Sequence, residues 1–396
     1  MNRLTAAVLS VLLLFSLTAC NQEPPAPPEP EPPAEEPIPL PPPPTPEELQ
    51  AMQIDDLLSS MSLEEQVGQL FFPRCPAENA VEDIQTYHLG GYILFGRDYK
   101  DEQGNWLTED QFTDKLAGYQ AAAKIPLLIG TDEEGGTVAR ASRNPNLFSR
   151  RARSPQELDR AGHEHGDCFA EDAWEKNSQL HSLGINVNLA PVADVSTNPA
   201  DFIYDRTIGK DAAGTADYVR RVVTGMQGTG VGSVLKHFPG YGNNVDTHTG
   251  IAVDKRPLEQ FRSSDFLPFE AGIQAGGATT AVLVSHNIMT AVDGQLPASL
   301  SPAVHQLLRE ELNFDGVVMT DDLAMDAVAA YANDGSAAVM ALKAGNDLII
   351  TSDYRTQIPQ VVAAAEAGEL DPLLLQNACR RVLQWKQALG LLPPIS

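Results

Sequence analysis

From about residue 62 onward, apolar positions fall into two alternating patterns. Tyr92–Phe95, Leu127–Gly130, Ile185–Leu189, Ser233–Leu235, Ala281–Val284, Val317–Met319 and Leu348–Ile350 are short continuous apolar runs. They lack polar alternation, as expected of strands buried on both faces. Between them Ala212–Met226, Pro257–Ala275, Pro302–Leu312, Asp326–Ala344 and about Leu373–Leu389 repeat their apolar residues at helical spacing. Three segments read as capping boxes that open helices: Thr45-Pro46-Glu47-Glu48, Ser62-Leu63-Glu64-Glu65 and Ser154-Pro155-Gln156-Glu157. The third predicts a long helical stretch to about Leu183. Strand-then-helix repeated over roughly 300 residues predicts a parallel sheet. Seven or eight such units, without a GxGxxG fingerprint, fit an α/β TIM-like (β/α)8 barrel in a single domain.

The first 46 residues follow neither pattern. Asn2-Arg3 precedes an uncharged, Leu-, Val- and Ala-rich stretch from Leu4 to Ala19, short for a bilayer span and suited to a signal-peptide core. Its end, Leu17-Thr18-Ala19-Cys20, resembles a bacterial lipobox, in which the cysteine is diacylated. An ordinary signal peptide ending near a cysteine and a short membrane anchor are the other readings. Residues 21–46 hold fourteen of the thirty prolines, five Glu and no Lys or Arg, a composition that stays extended as a polyproline-II-like spacer. The expected organisation is a signal peptide over 1–19, an acylated Cys20 with its tether over 20–46, and a barrel over 47–396. The expected location is extracytoplasmic, lipid-anchored to the bacterial membrane.

A net charge of −26 argues against a nucleic-acid partner, because a phosphate backbone requires a positive stripe. Cys75, Cys168 and Cys379 are scattered and read as free thiols. His163-Glu164-His165 lacks HExxH spacing and reads as a helix surface, so no metal site is expected. His88, His181 and His305 read as structural.

In such barrels chemistry sits where strands end, and the residues there are polar: Arg97, Asp98, Asp132, Asp194, Lys236, His237, Ser285, His286, Asp321, Asp322 and Asp353. Three segments stand out. In KHFPGYGNNVDTHTG (236–250) Lys236 and His237 end a strand, and Asp246 lies two residues before His248. A carboxylate beside an imidazole fixes its tautomer and raises its basicity, which makes this pair either a general acid/base dyad or an incidental part of a surface loop. Gly240 and Gly242 suggest that the loop closes. In VVMTDDLAM (317–325) Asp321 and Asp322 are suited to attack an electrophilic carbon, or to cap the next helix. In TDEEGGTVAR (131–140) Asp132 closes a strand and Arg140 can fold back towards it.

KHFPGYG followed by Asp-Thr-His, with TDDLAM downstream and DEEGG upstream, resembles glycoside hydrolase family 3, in its β-N-acetylglucosaminidase branch. The resemblance covers roughly Leu63 to Leu392 and extends to GINVNLAPVADV (184–195) and AGNDLIITSD (344–353). It implies Asp321 as nucleophile, His248 as acid/base activated by Asp246, and Asp132, Arg140, Arg206, Lys236 and His237 as sugar-binding residues. It implies no cofactor, a carbohydrate substrate containing N-acetylglucosamine, and a monomer. The function implied is a retaining exo-β-N-acetylglucosaminidase acting on peptidoglycan fragments or chitooligosaccharides. A phosphorylase or β-glucosidase of the same family and a sugar-binding lipoprotein are the rival readings. DRTIG (205–209) matches the family pattern only partly. Tyr241 and Thr137 replace a histidine and an arginine of that pattern, which implies altered loop or leaving-group contacts.

Overall fold

The three capping boxes form as their residues predict. Thr45, Ser62 and Ser154 each accept the N–H of the glutamate three residues on, whose carboxylate returns to the cap backbone. Each box satisfies two helix-end donors that otherwise lack partners. They open the helices Pro46–Ser60, Leu63–Gln69 and Pro155–Ala161. The computed structural model describes residues 43–162, 167–244, 252–325, 328, 331 and 336–392. His163, Glu164 and His165 lie outside the described residues, as do the segment before 43 and much of 326–335.

The single helix expected from Ser154 to about Leu183 is two helices. Gly162, at φ 75° and ψ 177°, ends the first in a backbone conformation essentially confined to glycine. Asp167 starts the second, Cys168–Ser182, by accepting the N–H groups of Phe169 and Ala170. Helices Ala212–Met226 and Pro372–Ala388 lie where the periodicity places them. The stretch predicted over 257–275 is Leu258–Gln260, a π-turn Phe261–Asp265 and Phe266–Gly276.

The sheet strands are β1 (Gly91–Leu94), β2 (Leu128–Thr131), β3 (Val187–Asn188), β4 (Gly232–Phe238), β6 (Thr280–Val284) and β8 (Val318–Thr320); β5 (Val253–Asp254) and β7 (Ile288–Met289) pair separately. The main order is β1-β2-β3-β4-β6-β8, with all pairs parallel. Every residue of these six strands is buried, which accounts for their continuous apolar runs. The Ala190–Pro191, Lys236–His237 and Phe238–Pro239 peptides are cis.

The (β/α)8 barrel expected from seven or eight strand-then-helix units is instead a six-stranded parallel ladder of TIM-like type. Between its edges run single parallel bridges, Met319–Leu348, Phe71–Ile349 and Arg74–Ile93. The run Leu348–Ile350 is one of these bridging segments. The other, Phe71–Arg74, directly follows the helix that starts at Leu63. The chain leaves that helix after Gln69, and Pro73 offers a carbonyl to Ile93 but has no N–H for a ladder.

Helix Pro372–Ala388 closes the core and carries one unusual group. Lys386 is fully buried, and its Nζ donates to Gln69 Oε1 at 2.6 Å. Burial outweighs the nearby Cys379 thiol and pushes the ammonium down to about 7 from an ordinary 10.5. Between those values the unfolded chain binds a proton that the native chain does not. Native stability therefore falls as pH drops from about 10.5 to about 7 and is level below. Lys386→Met should be more stable than the parent at pH 6.5, and the gap should narrow by about 3 kcal/mol by pH 9.5 in denaturant unfolding. A gap independent of pH would show that Lys386 keeps its proton in the native core.

Candidate active site

The strand ends open into a cavity of about 430 Å³ whose lining includes Asp132, Arg140, Arg206, Lys236, His237 and Asp321. Six of the residues singled out in the sequence thus meet in one place. Asp132 follows β2, Asp321 follows β8, and Arg206 ends the short turn Tyr204–Arg206. Lys236 and His237 are consecutive in β4, where the register against β6 shifts between Leu235 and Phe238. Such a bulge redirects side chains, and both residues line the cavity.

A buried charge cluster joins these elements. Lys236 Nζ lies 2.7 Å from Asp132 Oδ1 and 2.6 Å from Glu134 Oε1. Arg206 grips Glu134 with both arms of its fork, Nε to Oε2 at 3.0 Å and Nη2 to Oε1 at 2.7 Å. Burial disfavours the charge on Glu134, but Arg206 and Lys236 outweigh it and hold its carboxyl well below the usual range. Burial likewise opposes the charges on the two cations, and their carboxylate partners override it and raise both. Glu134, Lys236 and Arg206 thus each favour the charged form, in the bidentate geometry that suits guanidinium.

His237 is held from both sides. Its Nδ1 lies 2.7 Å from Asp194 Oδ2, and its Nε2 lies 3.2 Å from Arg206 Nη2. A guanidinium only donates, so Nε2 accepts and the ring proton sits on Nδ1, directed at Asp194. Asp194 also accepts the backbone N–H of Tyr241 at 2.7 Å. Tyr241 is buried with its ring edge-on to His237, so this departure from the family pattern forms cavity wall. With both nitrogens engaged, His237 is built to position rather than to shuttle protons.

Glu133 and Glu134 are adjacent and divide their work. The fully buried Glu133 carboxylate accepts the N–H groups of Arg140, Ala141 and Ser142 and the Ser142 hydroxyl. That folds the loop back and sets Arg140 over Phe95, its guanidinium carbon 5.5 Å from the ring centroid. Arg140 Nε is buried without a hydrogen-bond partner among the described residues, a donor available to substrate. Gly135 permits the fold: its φ is +102°, and a Cβ there would lie 1.9 Å from the Arg153 carbonyl oxygen.

Asp321 and Asp322 divide in the same way. Asp322 turns to the backbone, its Oδ1 accepting from Ala324 N and Ser352 N and its Oδ2 from the Ser352 hydroxyl. Asp321 is anchored by its own N–H to the Val284 carbonyl at 3.0 Å, its Oδ1 accepts the Asp322 N–H at 2.8 Å, and both aspartates line the cavity. Asp246 and His248 lie outside the described residues, as does Cys20. The flanks of the 245–251 segment are stitched together: Asn244 donates to Asp254 at 2.6 Å, and Arg256 pairs with Asp254 and Asp265 and reaches the Gly240 carbonyl. The glycines expected to make this loop a hinge have another cause at Gly240. Its φ is +119°, and a Cβ would meet Asp265 Oδ1 at 2.4 Å, so close packing requires glycine there.

Sequence reasoning missed Glu133 and Glu134 as site residues and gave Asp194 no role beyond its place at a strand end. The one available signal was the acidic pair directly after Asp132.

Residues 62–385 match the glycosyl hydrolase family 3 N-terminal domain, and the chain belongs to glycoside hydrolase family 3. The beta-hexosaminidase of Idiomarina loihiensis is 33 % identical over 345 residues, covering 81 % of this chain and 99 % of that one. A β-N-acetylhexosaminidase structure from Beutenbergia cavernae superposes with TM-score 0.71 at 30 % identity, covering 84 % of this chain and 99 % of that one. A family 3 β-N-acetylglucosaminidase from Paenibacillus sp. superposes with TM-score 0.74 at 31 % identity, covering 84 % of this chain and 63 % of that longer one.

Removing one member of a buried ion cluster leaves uncompensated charge, typically at a cost of about 3–5 kcal/mol. Glu134→Gln should lose about that much in urea unfolding at pH 7. A loss below about 1 kcal/mol would mean that Asp132 alone satisfies both cations.

Proposed function

We propose that this glycoside hydrolase is a retaining exo-β-N-acetylglucosaminidase that removes terminal, non-reducing β-linked N-acetylglucosamine from peptidoglycan fragments or chitooligosaccharides. The observation that carries this reading is that one cavity holds Asp321, at a strand exit, together with Asp132, Lys236 and Arg206 of the charge cluster. The names of the relatives that cover most of this chain support the substrate class.

In this mechanism Asp321 attacks the anomeric carbon as the glycosidic bond breaks, forming a covalent glycosyl-enzyme. His248, oriented by Asp246, gives its proton to the departing oxygen. It then takes one from the water that attacks the same carbon and frees Asp321, so configuration is retained. A histidine suits the acid/base role because its ordinary pKa, ~6.5, lets it donate and accept near neutrality. The engagement of both His237 nitrogens supports assigning that role elsewhere. Asp132, Lys236, Arg206 and His237 hold the sugar hydroxyls, and Arg140 adds a free donor. Such preorganised groups count most where charge develops in the transition state. The bridges at the sheet edges support a TIM-like arrangement around this cavity, and the chain is proposed to act as a monomer. The leader and the proline-rich tether support lipid anchoring through Cys20 on the outer face of the bacterial cell membrane.

The deciding assay is nitrophenol release from the β-N-acetylglucosaminide and the β-glucoside by the full chain. The N-acetyl sugar should be preferred, and Asp321→Ala should lower its kcat at least ~10³-fold. His248→Ala should be milder on this activated leaving group than on a natural disaccharide, because nitrophenolate departs with little protonation. Preference for the glucoside would favour the β-glucosidase reading, turnover that requires phosphate would favour the phosphorylase, and no turnover of either sugar would favour a binding lipoprotein.

A further inference from the structure

The chain carries 53 acidic and 27 basic residues, and most of its arginines are neutralised. Twelve of the described arginines have a carboxylate oxygen within 4.0 Å. Among the described residues, the arginines with no such neighbour are Arg74, Arg140, Arg143, Arg151 and Arg160. In a surface with two acids for every base, chance would scatter such residues. These five instead gather at the cavity and around the 136–137 turn of the loop that carries Arg140.

Arg74 and Arg140 line the cavity itself and share the ring of Phe95, with guanidinium carbons 4.2 and 5.5 Å from its centroid. Arg140 has its Nε buried, whereas Arg74 is exposed. The pair therefore leads from the interior to the rim. Beyond the rim, the loop that carries Arg140 is held by two more of the set. Arg143 donates to the Thr137 carbonyl at 2.9 Å, and Arg151 donates to the Gly136 carbonyl. On the far side of that loop Arg151 and Arg160 line an open groove of about 440 Å³ with Gly136, Thr137 and Asp205. Groove and cavity are neighbours along the chain at two points: Val138 and Arg206 line the cavity next to Thr137 and Asp205 in the groove.

Arg143, Arg151 and Arg160 are exposed, and the partners shown for them are backbone carbonyls. A guanidinium has five N–H donors, so each keeps donors to spare in the planar fork that matches a carboxylate. Two acids face the groove, Glu157 and Asp205. Glu157 is committed to its capping box, accepting the Ser154 N–H at 2.7 Å. A local positive arc on a strongly negative protein both attracts an anion and orients it, because the remaining surface repels it.

We propose that this arc is a leaving-group subsite that binds the carboxylates of an acidic aglycone, such as a sugar bearing an acidic peptide. The inference rests on the glycosidase reading and adds to it the residues that select the leaving group. The terminal sugar occupies the cavity at the Asp132 cluster, and the departing half extends past Arg74 and the 135–140 loop onto Arg151 and Arg160.

The test compares a neutral substrate, N-acetylglucosamine β-1,4-linked to itself, with the same sugar β-1,4-linked to N-acetylmuramyl-peptide with free carboxylates. The full chain should favour the acidic substrate, and the preference should shrink as salt is raised from about 0.05 to 0.5 M. Arg151→Gln with Arg160→Gln should raise KM for the acidic substrate ~10-fold and leave the neutral one within about twofold, whereas the corresponding Lys pair should retain most of the preference. Calorimetric binding of the free acidic leaving group, weakened to the same degree in the Gln pair, reads the arc without turnover. Equal effects on both substrates, no effect on either, or no binding of the acidic group by the parent chain would overturn the proposal. Should the parent chain cleave neither substrate, the glycosidase reading fails, and the calorimetry still decides whether the arc binds carboxylates.

Discussion

Glu134 is the residue on which the arrangement of the site depends. It is buried between Arg206 and Lys236, and those cations come from a loop turn and from β4, whereas Glu134 itself follows β2. Buried ion clusters add little net stability over apolar packing, because desolvation consumes most of the Coulomb gain. They are, however, costly to break and demanding in geometry. The cluster therefore acts mainly as a positional constraint. With Glu134 ionised, Lys236 is drawn to it and to Asp132, Arg206 lies bidentate against the carboxylate, and the same Nη2 that holds Glu134 also meets His237 Nε2. The histidine tautomer and its pairing with Asp194 follow from that contact.

The same economy recurs in two acidic doublets. Glu133 is spent on backbone N–H groups and Glu134 on cations, while Asp322 is held by Ala324 and Ser352 and Asp321 beside it keeps one carboxylate oxygen on the Asp322 N–H at the cavity wall. In each doublet one carboxylate shapes the backbone so that its neighbour is delivered with a fixed direction. This preorganisation makes side chains useful in a transition state, since the cost of orienting them is met during folding. It also explains how a loop containing Gly135 and Gly136 can be a precise part of the site: Glu133 closes it like a clasp.

The charge pattern has two scales. Globally the protein is strongly negative, which bears on solubility and on repulsion of other anions. Locally, cations are gathered around one cavity, some locked to carboxylates and some left with donors facing outward. The locked ones build the charge cluster of the cavity, and the unlocked ones lie at the cavity and around the 136–137 turn beside it.

Much of this architecture is legible from neighbouring residues alone. Capping boxes at Thr45, Ser62 and Ser154, unbroken apolar runs for buried strands, and polar residues at the ends of those runs are signals spaced a few residues apart, and the fold obeys them. The signals fail where a distant partner decides. Leu70 and Phe71 look like the end of a helix, and the chain there becomes a bridging segment because Ile349 and Ile93 lie beside it. The stretch after Ser154 looks like one helix, and Gly162 breaks it. Asp321 and Asp322 are equivalent in the sequence until Ser352 takes one of them. The charge cluster is the extreme case, joining Glu134 to Arg206 across 72 residues and Asp132 to Lys236 across 104. The chain by itself determined its elements, because propensity, capping and burial are local. Only the tertiary structure decided which carboxylate meets which cation, because that choice depends on distances set after the strands have assembled.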